Sequence, residues 1–456
     1  MRAQGRKLVE LLSEPVPWAV LCVAAAAALR LPALLRDDFW LDEIWALRLA
    51  RAASGVWDIL YAAPTSNNHI LITLWLYAVR GTHLVGLFRL PPFVAGLAAV
   101  PAAIAVARRY GADEGRVAGA LCALWFPLLA YSTEARGYAV AAAAALVCWA
   151  WRAQGRRAWT FGFVCAAGLL SQLIFVYVYV GLIAAECWSV RAPASERLKR
   201  HAIPALAFVA VCVPQALRLI VDGPSYRLGA VLAEAAGLLW ATPATALGAA
   251  AAVGLSLAAA VPATENLRRE GDLPFLALVL LVPLAGALSR PEVLFARYFL
   301  PAAACALPVF ACGLVRLWRS GGVRRAAAVA LAATFVALQS GATLRFWRYG
   351  RGGYRAAVET IASQEGLIRV ASDHDFRNRM VLEYYAAPVP PGRIIYVPAP
   401  EAARAGADWF LAHRLNDDDA PPPRSFRGPR GAAFALARVF PHAGPSGWAW
   451  YLYRRD

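Results

Sequence analysis

The chain has 456 residues, 60% of them hydrophobic and only 16% charged. Soluble domains carry about 45–50% apolar and about 25% charged residues, so an ordinary water-soluble enzyme is excluded, as are a disordered chain, a collagen and a disulfide-stapled secreted scaffold. Lys+Arg 46 against Asp+Glu 29 gives a formal net charge of +17. The excess sits in short loops between apolar runs, where positive-inside topology puts it, so it is not the footprint of a nucleic-acid partner.

Apolar runs of about 20 residues recur from Pro17 to Leu344, long enough to cross a bilayer as helices. The first, Pro17–Leu35, follows Arg2, Arg6 and Lys7 and reads as a retained helix with a cytoplasmic start, not a cleaved signal peptide. Arg36–Asp38 then lies on the outer side. Leu41–Ala53 has apolar residues at Leu41, Ile44, Trp45, Leu49 and Ala52, with Asp42, Glu43, Arg48 and Arg51 on the other face. That spacing predicts an amphipathic helix lying on the membrane. Residues 64–68 (PTSNN) are a loop signal, and His69–Gly86 is an apolar stretch interrupted by Arg80 and His83. Arg108-Arg109 must face inward after the span Arg89–Ala107, so residues 36–89 are expected to form one outer loop.

Ten further spans follow from the same bookkeeping: Arg89–Ala107, Val117–Tyr131, Val140–Trp151, Trp159–Gln172, Phe175–Val190, His201–Val221, Ala235–Val261, Leu273–Ser289, Tyr298–Val315 and Ala326–Leu344. The total is about eleven. The basic stretches at Arg156-Arg157 and Arg191–Arg200 fall inside. Arg136 and the Arg290/Arg297 pair fall outside, against the rule, and a bound anion would account for them. All eight cysteines lie within apolar runs and none forms a CxxC pair, which reads as small buried residues and not as a disulfide or zinc framework.

From about Arg345 the composition turns polar and Pro-rich. Leu367–Ser372, Arg393–Val397 and Trp448–Tyr453 read as strands, Arg377–Tyr385 as a helix and Asp417–Pro423 as a loop. The expected organisation is a transmembrane domain over residues 1–345 and a small extracytoplasmic α/β domain over residues 346–456.

Four groups of polar residues stand out. Asp42-Glu43 opens a helix, where acidic side chains ordinarily complement the dipole by about 0.3–1 kcal/mol each; two carboxylates there also suit a general base with its partner, or a metal. His69 begins the next helix. Residues 131–138 (YSTEARGY) put Glu134 and Arg136 two apart between spans in an aromatic setting. Either they pair structurally, or they contact a phosphate or metal. Arg297-Tyr298 sits at an outer span end, as a snorkelling Arg with a belt Tyr, or as a guanidinium for a lipid phosphate.

An acidic pair after the first span, Arg89-Leu90-Pro91, Tyr131–Ala139 and Ala296–Ala302 (ARYFLPA) occur in this order. Together they resemble the bacterial GT-C membrane glycosyltransferases of the family 39 type, akin to protein O-mannosyltransferases and the lipid A aminoarabinose transferase. The resemblance spans about residues 15–345. It implies an all-α polytopic core with long outer loops and an extracytoplasmic C-terminal domain, in a bacterial inner membrane. The implied activity is transfer of a sugar from a polyprenyl-phosphate donor to an envelope acceptor on the outer face. By the resemblance Asp42 is the catalytic Asp and Glu43 its neighbour. Where relatives carry a His/Pro-Pro-Leu-Tyr-Tyr stretch, this chain has Asn67-Asn68-His69-Ile70-Leu71, and His69 alone matches. The substrate-binding set expected is His69, Arg89, Glu134, Arg136, Tyr138, Arg297 and Tyr298. Glu43 and Glu134 are the expected ligands of a divalent cation, Mg or Mn. A transporter or flippase for a lipid-linked glycan is the alternative; it predicts ionisable groups deep within spans, whereas these cluster at span ends.

Overall fold

The structure, a computed structural model, describes residues 15–36, 38–63, 65, 67–152, 158–189, 193–218, 228–289, 295–398, 401, 406–414, 423–428 and 431–456. The basic N-terminus, Pro64, Ser66, Arg156-Arg157, Arg290 and residues 417–422 of the expected loop lie outside the described residues. The chain forms two compact units. One takes Met1–Leu34 with Leu49–Gly341, and the other takes Leu35–Arg48 with Ala342–Asp456.

The first unit is helical. Among the described residues six helices are long and apolar enough to cross a membrane, or seven if a bent pair counts as one span. Five more apolar helices are shorter: Tyr138–Trp151, Ala158–Ser171, Leu173–Cys187, Leu228–Gly237 and Leu273–Gly286. Ile70–Ala78 has only nine residues, about 14 Å at 1.5 Å per residue, less than half of a hydrocarbon core of about 30 Å. At the centre, Leu90–Ala107, Tyr138–Trp151 and Leu300–Arg319 bury stripes of small residues, among them Ala99, Ala103, Ala107, Ala141, Ala142, Ala145, Ala304 and Ala311. Small side chains let helices approach closely where lipid removes most of the hydrophobic drive for association.

Two expected elements are corrected. Ala235–Val261 is not one span: Leu228–Gly237 ends, residues 238–245 turn, and Ala246–Ala260 begins with Thr245 Oγ1 accepting from the Gly248 N–H at 3.0 Å. Apolarity runs through the break because both helices are apolar, so composition hides it. Arg191–Arg200 is likewise not all loop, since Ala194–Ala207 is helical.

Arginines at the ends of the apolar runs are held in ion pairs, two of them buried. Arg152 pairs with Asp272, and both are almost wholly buried. Arg109 reaches the same carboxylate at 3.1 Å, and Tyr110 and Trp149 donate to it. Arg200 pairs with Glu186 at 2.7 Å, both again buried.

The second unit holds a mixed six-stranded sheet in the order β2-β1-β3-β6-β5-β4. Strands β1 (Ile368–Ser372), β2 (Ile394–Tyr396) and β3 (Trp409–Arg414) run parallel to one another. Strands β4 (Ser425–Arg427), β5 (Ala433–Phe440) and β6 (Ala449–Arg455) complete it in antiparallel pairs, with β6 against β3. Strand β1 buries Ile368, Val370, Ala371 and Ser372, the near-continuous burial of a strand covered on both faces. The helix Asp375–Ala386 links β1 to β2, and Tyr354–Ala362 packs Tyr354 edge-on against Trp450 at 4.9 Å. β3, β4, β5 and the helix Tyr354–Ala362 were not anticipated from the sequence.

Leu41–Ala52 is a helix, but it is not the surface amphipath expected. Asp42 is 8% exposed and Glu43 0%, alongside buried Leu41, Ile44, Ala46 and Leu47. Within the second unit Trp45 packs edge-on against Phe376, Arg48 bonds Glu383 at 3.3 Å, and the Tyr385 hydroxyl donates to the Phe39 carbonyl. Asp42 and Glu43 are therefore buried, while Arg48 and Arg51 of the same helix stay exposed.

Candidate functional site

The site in the first unit is built on a broken helix. Ala112–Leu124 and Phe126–Ser132 meet at 54°. Trp125 leaves the helical conformation at the break (ψ 109°), and Pro127 starts the second piece. A break at this depth frees backbone groups that lipid cannot satisfy. The Phe126 N–H instead donates to Gln339 Oε1 at 2.8 Å, and Gln339 Nε2 donates onward to the Leu239 carbonyl. Trp125 Nε1 bonds the Leu238 carbonyl at 3.0 Å, which also satisfies the turn that splits the expected span. Beneath the second piece Arg30, fully buried in the first helix, donates Nε to Ser132 Oγ at 3.1 Å.

The short helix delivers Tyr131, and the turn after it delivers Glu134 and Arg136, both essentially without solvent exposure. Four side chains then surround the ring of Tyr138. His69 meets it edge-on at 4.9 Å and Tyr131 at 5.3 Å between centroids. The guanidinium carbons of Arg136 and Arg297 each lie 5.6 Å from its centroid. Arg297 is also 4.3 Å from the Phe295 ring. Cations over aromatic faces are held in direction by the ring quadrupole. Arg136 is held further by Asn67 Oδ1, to which it donates.

His69 locks the turn. Its Nδ1 accepts from the Gly137 N–H at 2.8 Å, so in the neutral ring the proton is on Nε2. Nε2 is 3.4 Å from the Gln172 side-chain amide nitrogen. Burial, with Arg136 and Arg297 nearby, holds the imidazole well below its usual value, so the ring is neutral. Gly137 is required here by close approach: a Cβ would run into the Ser171 carbonyl.

Of the expected residues, the structure thus brings together His69, Arg136, Tyr138 and Arg297, with Glu134 in the same turn. The Tyr298 ring lies 5.4 Å from Phe295, and its carbonyl accepts from the Tyr177 hydroxyl. Arg89, fully buried, stands at the N-terminal boundary of Leu90–Ala107 and donates to the Ala33 carbonyl of the first helix. Asp42 and Glu43 belong to the second unit. The expected cation would draw Glu43 from one unit and Glu134 from the other. Among the described residues no three His, Cys, Asp or Glu side chains form a metal-ligand group.

Asn67, Gln172, Arg30 and Glu234 were missed. Glu234 carried a readable signal, a lone acid in the apolar run from Leu228 to Gly237, since ionisable residues in such runs usually have a task. Arg30 carried the same signal inside the first span.

A polytopic helical core with broken spans, and a small mixed sheet in the same chain, define a multi-pass membrane protein of the GT-C fold. No protein-family model matches the chain, and no curated protein aligns with it. Among solved structures it is similar to ArnT from Cupriavidus metallidurans in the apo state, over 96% of this chain and 98% of that one, with TM-score 0.51 and 15% identity. ArnT bound to undecaprenyl phosphate aligns over the same shares, with TM-score 0.52 and 14% identity. At such identity the likeness is one of fold.

Proposed function

We propose that the chain is an integral glycosyltransferase of a bacterial inner membrane. It would move a sugar from a polyprenyl-phosphate donor to an envelope acceptor, whether lipid, glycan or protein, on the outer face. The observation that carries this reading is the pair of guanidiniums, Arg136 and Arg297, set around one tyrosine ring in a largely apolar unit. Arg136 is almost fully buried, whereas Arg297 is partly exposed, which makes Arg297 the group for the donor phosphate. The similar ArnT fold binds undecaprenyl phosphate, which supports a lipid-phosphate ligand.

The chemistry follows from charge. An acceptor hydroxyl attacks the anomeric carbon, the new C–O bond forms as the bond to the phosphate oxygen breaks, and the anomeric centre inverts. The phosphate leaves with an added negative charge, and a fixed guanidinium stabilises that charge more in the transition state than in the ground state. The attacking hydroxyl gives its proton to a base. Asp42, at the start of its helix, is the proposed base.

Mass spectrometry of envelope glycolipids and glycoproteins from a deletion strain tests the reading. One glycan modification should disappear, return with the wild-type chain, and fail to return with Arg297→Ala. Arg297→Lys keeps the charge but loses the planar fork, and should restore the modification at about 10- to 100-fold lower turnover. A glycan profile unchanged by deletion would refute the proposal. Full activity of the Lys variant would return Arg297 to an interface anchor.

A further inference from the structure

Arg297 has a neighbour that the phosphate reading leaves unused. The helix Leu228–Gly237 carries a single charged residue in ten, Glu234. Val231 on that helix is buried against Ala296, with Leu228, Ala235, Tyr298 and Phe299 packed around the contact. Residues three and four apart share a helix face, so Glu234 stands on the face turned to the segment that carries Arg297. Arg297 is the charge that acts on its carboxylate. The Tyr131 hydroxyl lies in the field of the same Arg297 and Glu234, and its ring abuts Tyr138.

Neither group has a hydrogen-bond partner among the described residues. The Tyr131 side chain is fully buried, and its hydroxyl has no hydrogen-bond partner among the described residues. Among the described residues no hydrogen bond or ion pair engages the Glu234 carboxylate. A buried phenol without a partner is costly unless a ligand completes it, and a half-buried carboxylate alone in an apolar helix is the kind of group such a helix carries for a task. A carboxylate present only to neutralise Arg297 would sit at ion-pair distance. A carboxylate beside a phosphate site also weakens anion binding, unless another part of the ligand donates hydrogen bonds to it.

We infer that Glu234 and Tyr131 bind the sugar of the donor. The carboxylate accepts from a hydroxyl or ammonium group of the pyranose, and the phenol pairs with a neighbouring ring substituent. This rests on the proposed function, in which Arg297 holds the phosphate. One oxygen joins that phosphate to the anomeric carbon, so the sugar falls beside whatever holds the phosphate. The same carboxylate repels the released carrier, a phosphomonoester of higher negative charge than the phosphodiester donor, and so favours product release.

The test is equilibrium binding to the full-length protein in nanodiscs. The probes are undecaprenyl methyl phosphate, a phosphodiester without sugar, and undecaprenyl phosphodiesters of glucose, mannose and glucosamine. The wild type should prefer at least one sugar-bearing lipid over the methyl diester. Glu234→Gln and Tyr131→Phe, both near-isosteric, should each reduce that preference about tenfold, while the methyl diester binds at wild-type strength or tighter, which also reports intact folding. Preference for glucosamine alone identifies the ammonium as the group read, and preference for glucose or mannose identifies a hydroxyl. A wild type without preference, or variants that keep it, overturns the inference. Failure of the wild type to bind any of the four lipids is a different result and takes the phosphate reading down with it.

Discussion

Gly137→Ala is the sharpest test of the turn that carries Glu134 and Arg136. Gly137 has φ −79° and ψ −4°, which alanine adopts freely, so backbone conformation predicts no penalty. The close approach does. The added methyl meets the backbone carbonyl of Ser171, with His69 Nδ1 at 3.0 Å on another side. A carbonyl in a packed helix cannot swing away as the end of a long side chain does. Overpacking of this kind costs about 1–3 kcal/mol. If the turn moves off to relieve it, the Gly137 N–H loses its 2.8 Å bond to His69, and a buried N–H left unmade costs about 1–3 kcal/mol more. The expected total is about 2–6 kcal/mol, with Arg136 and Tyr138 displaced. Scanning fluorimetry of the detergent-solubilised protein should show a lowered unfolding temperature, and transfer activity should fall. Gly341→Ala is the control: it lies within a helix with nothing within 4 Å, and should be neutral or stabilising by up to about 1 kcal/mol. A Gly137→Ala protein as stable and active as the wild type would refute the contact.

Asp42→Asn preserves size and removes the base, and should lose about 10²–10⁴-fold in turnover of a correctly inserted protein; near-normal transfer would retire Asp42 from that role. His69 is held neutral in the fold, while the unfolded chain takes up its proton near the usual value of 6.5. The unfolded state then binds more protons below that pH, so stability should fall as pH drops through about 6.5, at up to about 1.4 kcal/mol per unit. His69→Asn keeps an acceptor for Gly137 and cannot titrate, so its unfolding temperature should vary less between pH 5 and 6.5; an unchanged slope would assign the pH dependence elsewhere. Asp272→Asn strips the counter-charge from buried Arg152 and should cost about 3–5 kcal/mol in thermal unfolding measurements. A wild-type unfolding temperature would mean that the pair contributes little.

Length and composition settle that the chain lives in a bilayer, because a run of about 20 apolar residues has few other stable environments. The change near Arg345 and the short β-rich runs around Ile368, Ile394 and Ala449 were legible for the same reason: strand periodicity is local. So was Tyr131–Tyr138 as a place where polar residues crowd between apolar helices. The breaks at Trp125 and at residues 238–245 were not legible, since both flanks are apolar and the groups that satisfy the broken backbone, Gln339 and the Leu238 and Leu239 carbonyls, come from far along the chain. Helical spacing placed Asp42 and Glu43 opposite an apolar stripe, but periodicity reports only which residues share a face, not what covers it. The fold buries both carboxylates. The assembly around Tyr138 draws on residues as far apart as His69 and Arg297. Glu234 became meaningful only when helix packing set it beside Arg297. Sequence determines which segments leave water and which residues can carry charge. Tertiary structure decides which of those charges meet, because meeting depends on contacts that no local pattern encodes.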